Sequence, residues 1–190
     1  MIIIPAMGRT RSSLVAGIFH ACGAWVGDST VSMWNRHDTF ENWDTIMYLQ
    51  HKFGCRSQMS GTTARKQHHA FRKWVNSVVP DDELVCLKVH WYYDRLLRRA
   101  FPDADYYFVH RAQWSDTIQK KRQMFRHYQR EMGEGKWIDG ERLVQNPPDF
   151  DEMKSVIGQH SALKWNQQAV DAVYASNGAE RYGNMIRVRR

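Results

Sequence analysis

Cysteine is scarce in this chain and long apolar runs are missing, and both absences narrow what it can be. The three cysteines, Cys22, Cys55 and Cys86, are scattered and odd in number. No Cys-x-x-Cys pair occurs, and the nine histidines include His68-His69 but no His-Glu-x-x-His spacing. Neither a disulfide framework nor a metal site is therefore expected. Cys22 and Cys86 lie inside apolar segments and read as small buried residues. No stretch approaches the ~20 apolar residues of a membrane span. The opening Met-Ile-Ile-Ile is too short for a secretory leader, so the expectation is a cytoplasmic protein with no membrane partner. Repeats, low-complexity tracts and linker-like segments are also missing, which leaves one domain over residues 1–190.

What is present suits a globular fold. Hydrophobic residues make up 43% and aromatic residues 13% of the chain, enough for a core. The formal charge of +7 favours an anionic partner, whether nucleic acid, a phosphorylated small molecule or an acidic glycan. Strand candidates are Ile2–Ile4, Leu84–Val89, Tyr106–His110 and Met185–Val188, the first run breaking at Pro5. Turn signals, Pro80-Asp81-Asp82 and Phe101-Pro102-Asp103, bound the second and third, as suits strands buried on both faces of a parallel sheet. Helical spacing covers 12–23, 41–52, 63–78, 92–100, 115–132, 149–157 and 161–175. Gly133–Gly140 and Asn146-Pro147-Pro148 read as loops. Strands alternating with helices predict an α/β fold of three layers, helices packing on both sides of a mainly parallel sheet.

The helix from 115 has Ser115 as a plausible N-cap and then turns basic at Lys120, Lys121, Arg122, Arg126 and Arg130. It reads as a solvated face or as part of an anion-binding rim. Trp34, Trp43, Trp74 and Trp114 fit core positions better than pocket walls.

The first strand runs into Gly8-Arg9-Thr10-Arg11-Ser12-Ser13 and then a helix with Leu14, Val15, Ile18, Phe19 and Cys22 at helical spacing. A helix N-terminus offers free backbone N–H groups and a positive dipole end to an anion. Two arginines and three hydroxyls stand at that point. The loop lacks the second glycine and the lysine of a Walker A motif, which disfavours an ATP- or GTP-using P-loop.

Arg9-Thr10-Arg11-Ser12-Ser13-Leu14 resembles the 5′-phosphosulfate loop of the sulfotransferases, which carries Arg or Lys, Ser, Gly, Thr, then Ser or Thr. Arg11 replaces the glycine. Further segments resemble the same family in order. Asn35, Phe40 and Glu41 match its Asn-Pro-x-Gly-x-Phe-Glu segment without the proline and glycine. Lys88-Val89-His90 matches a Lys-Thr-His strand end, with Lys88 and His90 on one face. Phe101-Pro102-Asp103-Ala104, a buried strand and Arg111 match the segment whose arginine grips the 3′-phosphate. Eight residues later the family has serine and this chain has Gln119, which still donates a hydrogen bond. Glu141, Leu143, Pro147 and the helix to Gly158 follow a late structural segment. The resemblance covers residues 1–160 and implies a P-loop-like sulfotransferase fold.

It also implies transfer of a sulfuryl group from 3′-phosphoadenosine 5′-phosphosulfate (PAPS) to a hydroxyl or amine, with no metal required. Arg9, Thr10, Arg11, Ser12 and Ser13 then hold the 5′ side, and Arg111 and Gln119 the 3′-phosphate. Lys88 and Arg9 face the developing charge. Glu41 or His90 takes the acceptor proton; His90 has the better unperturbed pKa, whereas the small bacterial branch, the closer overall match, favours Glu41. The acceptor is a small molecule or a glycan, bound by segments within 30–75 and 112–140. Two other readings stay open. One is an atypical P-loop kinase, for which no acid closes a strand to hold Mg²⁺. The other is a non-catalytic nucleotide- or nucleic-acid-binding relative, although no recognised nucleic-acid motif is present and nucleic acid is not the expected partner.

Overall fold

The computed structural model describes residues 1–7, 10–27, 29–31, 38–54, 58–110, 126, 128, 130 and 135–176. Four parallel strands form its central sheet: β1 (Ile2–Ala6), β4 (Cys86–His90), β5 (Asp105–His110) and β6 (Lys136–Asp139), in the order β4-β1-β5-β6. Trp25 adds a parallel bridge to Val85 at the outer side of β4, donating to the Leu84 carbonyl at 2.9 Å. A separate antiparallel pair, β2 (Ser29–Val31) and β3 (Asp38–Asn42), follows the first helix.

Side chains alternate across a strand, and the sheet separates two apolar layers on that basis. Ile2, Ile4, Cys86, Tyr107, Val109 and Ile138 face α1 (Ser12–Ala21), α5 (Asp151–Ile157) and α6 (Gln167–Ser176). Ile3, Leu87, Val89, Tyr106 and Phe108 face α2 (Trp43–Phe53), α3 (Gly61–Val78) and α4 (Asp94–Ala100). Ile2, Ile3 and Ile4 are fully buried, each contributing about 1.5–3 kcal/mol of apolar burial. The result is the expected three-layer α/β arrangement. No helix among the described residues is long and apolar enough to cross a membrane.

Local chemistry fixes the helix ends. Asn42 caps α2 by accepting from the Thr45 N–H at 2.8 Å, and Gly54 closes it in the left-handed conformation. Ser60 caps α3 by accepting from the Thr63 N–H at 3.1 Å.

Several sequence expectations shift. Pro5 does not break β1, which runs on to Ala6 with Pro5 in register with Val89. In a parallel strand a residue's N–H and C=O point to the same neighbour. Ile2 donates to Val85, so Pro5 faces β5, where β1 has pairing only at Ile2 and Ile3. Its missing N–H interrupts no ladder there. The helix expected from 41 begins at Trp43, because Glu41 and Asn42 close β3. The helix expected from 161 begins at Gln167, after an Asn166 cap on the Ala169 N–H. The first turn of the helix expected over 92–100 is a 3₁₀ turn, Trp91–Tyr93. Part of the Gly133–Gly140 loop is strand β6. Of the helix over 115–132, residues 126, 128 and 130 are described and helical, while Met185–Val188 lies outside the described residues. Trp43 is 46% exposed rather than core, Trp74 stacks on Tyr48 at 4.3 Å, and Trp34 and Trp114 lie outside the described residues.

Candidate anion-binding and catalytic site

Chain direction places the site. From β1 the chain passes through α1 toward the β4 side of the sheet, whereas β5 leads on to β6 at the other side. The order therefore reverses between β1 and β5, and ligands of open α/β sheets bind outside the carboxyl ends of the strands at such a point. The start of α1 and the carboxyl ends of β4 and β5 meet this edge.

The loop is built from its backbone. The Thr10 hydroxyl, fully buried, donates to the Met7 carbonyl at 2.8 Å and folds the chain back after β1. Arg11 then takes a left-handed conformation, φ 75° and ψ 16°, and α1 starts at Ser12. Left-handed backbone costs a non-glycine residue roughly 1–2 kcal/mol. This explains in physical terms why a glycine would suit the position, although an arginine adopts it here. No side chain caps α1 and no acid stands in its first turn. The N–H groups at Ser12 and Ser13 thus begin a helix whose own first turn carries no acid to offset its positive end.

Gly140 braces the loop from β6. A Cβ at this position would lie 2.4 Å from the Thr10 carbonyl oxygen and 3.1 Å from the Arg11 Cβ. The Gly140 N–H donates to the His110 carbonyl at 2.9 Å, tying the end of β6 to that of β5. Tyr128, fully buried, crosses the gap where β1 and β5 part. Its hydroxyl donates to the Pro5 carbonyl at 2.7 Å and also meets the Val109 backbone. Arg126 and Arg130 on the same helical stretch are exposed.

Lys88 and Glu41 come together although 47 residues separate them. The Lys88 Nζ donates to Glu41 Oε1 at 2.7 Å; the lysine is 4% exposed and the glutamate 33%. Packing on α1 sets this up. Phe40 fills the notch at Gly17, where a Cβ would lie 2.7 Å from its ring, and the next residue is Glu41. Register places Lys88 beside Ile4 and His90 beside Ala6, so the ion pair sits one strand from the base of the anion loop.

His90 is engaged otherwise. Its ring stacks on Tyr92 at 3.9 Å between centroids, and its Nδ1 accepts from the Tyr92 N–H at 3.4 Å. Burial pushes its pKa down to about 4, with Lys88 adding to the fall and Glu41 opposing it. The near-neutral value expected from sequence is thus lost. A neutral ring that accepts at Nδ1 carries its proton on Nε2, which leaves no basic nitrogen for an acceptor. Cys22 and Cys86 are buried as expected, and burial pushes the Cys86 thiol up to about 12.

The structure therefore gathers Thr10, Arg11, Ser12 and Ser13 at the entry to α1 and brings Glu41 to Lys88. Arg9, Arg111 and Gln119 lie outside the described residues, and Arg111 follows His110 directly in sequence. Two contributors were not singled out from sequence. Gly140 showed only as one glycine of a loop, and Tyr128 only as an aromatic within a basic helix. No family model, characterised protein or solved structure matches the chain.

Proposed function

We propose that the protein is a sulfotransferase that moves a sulfuryl group from PAPS to a hydroxyl or amine of an acceptor. The observation that carries this reading is the ion pair between buried Lys88 and half-buried Glu41, on the same sheet edge as an uncapped helix N-terminus whose preceding residue is left-handed. An anion is favoured at the second feature, and a base beside a fixed cation is available at the first.

The 5′-phosphosulfate end lies against the first turn of α1, with Ser12 and Ser13 donating and Arg9 adding charge. The resemblance gives Arg111 the 3′-phosphate, and Gln119 assists. The acceptor oxygen attacks sulfur, the bond from sulfur to the bridging 5′-phosphate oxygen breaks, and 3′,5′-ADP leaves with that electron pair. The acceptor proton passes to the Glu41 carboxylate. Lys88 holds Glu41 in place and offers positive charge near the bridging oxygen, the kind of preorganised electrostatics that lowers such barriers. His90 caps the turn after β4 and keeps Tyr92 in position.

Thermal shift with 3′,5′-ADP, compared with ATP·Mg²⁺, tests the reading. A ligand that binds only the folded chain raises Tm, so 3′,5′-ADP is expected to stabilise and ATP·Mg²⁺ to do so weakly. Arg9→Ala and Arg111→Ala are expected to remove the shift. No shift at millimolar 3′,5′-ADP overturns the reading.

A further inference from the structure

Helix α3 presents a solvent face with a single sign of charge. Over its 18 residues it holds Arg65, Lys66, Arg72 and Lys73, all exposed, and no aspartate or glutamate. None of the four side chains has an ion-pair partner among the described residues. The two Arg-Lys doublets stand seven residues apart, which returns to nearly the same helix face about 10.5 Å along the axis. His69, Arg72, Lys73, Asn76 and Ser77 line a shallow groove of about 410 Å³ between and beside them. The apolar side of the helix, Ala64, Phe71 and Val75, is already buried in the apolar layer it shares with α4. Its larger rings turn inward too, Trp74 stacking on Tyr48. The exposed face thus has no apolar wedge for a lipid layer and no indole or phenyl platform for unpaired bases.

The face also has a direction. The Met59 N–H donates to the Tyr92 carbonyl at 2.8 Å, and Ser60 then caps α3. Tyr92 stacks on His90 at the carboxyl end of β4. The basic helix therefore starts beside the edge that carries Lys88 and Glu41 and runs away from it along the flank. The acids Asp81, Asp82 and Glu83 follow only beyond its far end.

We propose that this face is a docking track for an extended anionic glycan, whose chain lies along α3 and whose hydroxyls reach Glu41. The occupant follows from charge and from chemistry. Two basic doublets on one helix face match a polymer with repeated anions, and the arginine forks suit carboxylate, phosphate or the similarly shaped sulfate groups. Of the polymers with such anions, one built of acidic sugars also offers hydroxyls along its length as acceptors. The choice of a glycan among polyanions, and its reach to Glu41, rest on the sulfotransferase reading; the binding of a polyanion along α3 does not.

The test titrates the full chain with a fluorescent heparin octasaccharide, a neutral dextran fragment and a duplex DNA oligonucleotide. Arg65→Ala/Lys66→Ala and Arg72→Ala/Lys73→Ala are compared with Lys154→Ala/Lys164→Ala, which removes as much charge elsewhere. Each α3 variant is expected to lose roughly tenfold in heparin affinity with a shallower salt dependence, and the control less than about twofold. Dextran is expected not to bind. Equal affinity across the variants overturns the track, and so does duplex DNA binding more tightly than heparin through the same doublets. The 3′,5′-ADP thermal shift of the same variants separates the two ideas. An unchanged shift with lost glycan binding supports the track as a site apart from the nucleotide. A missing shift in every protein removes the sulfotransferase reading, while the heparin series still decides the track.

Discussion

Removing the carboxylate from the Lys88–Glu41 pair should cost far more than removing the ammonium. At 2.7 Å the pair attracts with about 6 kcal/mol at an effective dielectric near 20, and about 1.5 kcal/mol in bulk water. Glu41 is one-third exposed and Lys88 hardly at all, so the environment lies between these limits. Part of the attraction offsets the desolvation of Lys88. Orphaning a fully buried charge costs about 3–5 kcal/mol, and a surface pair is worth about 0–1 kcal/mol. Glu41→Gln, which keeps the shape and removes the carboxylate charge 2.7 Å from the lysine, should therefore destabilise by about 2–3 kcal/mol. For a chain of this length that lowers Tm by roughly 4–12 °C. Lys88→Met replaces the buried charge by an apolar stem of similar volume and leaves Glu41 where water reaches it, so its cost should stay below about 1 kcal/mol. In the Lys88→Met background Glu41→Gln should then cost almost nothing. Urea unfolding of the two single variants and the double variant measures the coupling directly. If Glu41→Gln costs the same in both backgrounds, the pair does not hold Lys88 and the account of the site is wrong.

Other residues give independent checks. Burial holds the His90 pKa at about 4 in the folded chain, against an ordinary histidine value of about 6.5, so the unfolded chain binds more protons between those limits and stability falls as pH drops from about 6.5 to 4. His90→Asn, which keeps an acceptor for the Tyr92 N–H, should remove about 2 kcal/mol of that acid sensitivity; an unchanged pH profile of urea unfolding rejects the buried neutral histidine. Tyr128→Phe leaves the Pro5 carbonyl without its donor and should destabilise by about 1–3 kcal/mol, a value that urea denaturation will show to be wrong if the midpoint does not move. Gly140→Ala drives a methyl group into the Thr10 carbonyl, and should weaken 3′,5′-ADP binding roughly tenfold or more by moving the loop; full affinity in calorimetric titration means that the loop does not form the cradle.

How much of this was legible in the sequence depended on how local each signal is. The apolar runs of β1, β4 and β5 and the stripes of α1 and α3 stand out because each face is buried over several residues. Strand β6 does not: it has four residues, of which only Ile138 is buried, too few for any alternation to show. The β2–β3 pair was hidden for a different reason. Its second strand contains Phe40 in a positive-φ conformation and ends on the Asn42 cap of α2, so Glu41 reads as the first acid of a helix. Only the packing of Phe40 into the notch at Gly17 turns that stretch into a strand, and that contact joins segments more than twenty residues apart.

The candidate site breaks local rules more than the core does, and each break has a job. A proline inside a central strand is disfavoured because it removes a ladder bond. Pro5 stands where β1 and β5 separate, and its free carbonyl is taken by Tyr128. An arginine with positive φ is disfavoured by sterics. Arg11 stands where the chain must turn from strand into helix without a side-chain cap, which keeps the first N–H groups of α1 directed at the crevice. A buried lysine is disfavoured by desolvation. Lys88 stands where a strand end meets a glutamate delivered by another element. Local strain and buried charge persist only when the surrounding packing over-determines them. Here Gly140 against Thr10 and Phe40 against Gly17 supply that packing. All three exceptions fall on β1, β4 or the loop after β1, on the side of the sheet where the parallel strands end. That concentration, more than any one motif, makes this edge the place where the proposed chemistry is to be tested.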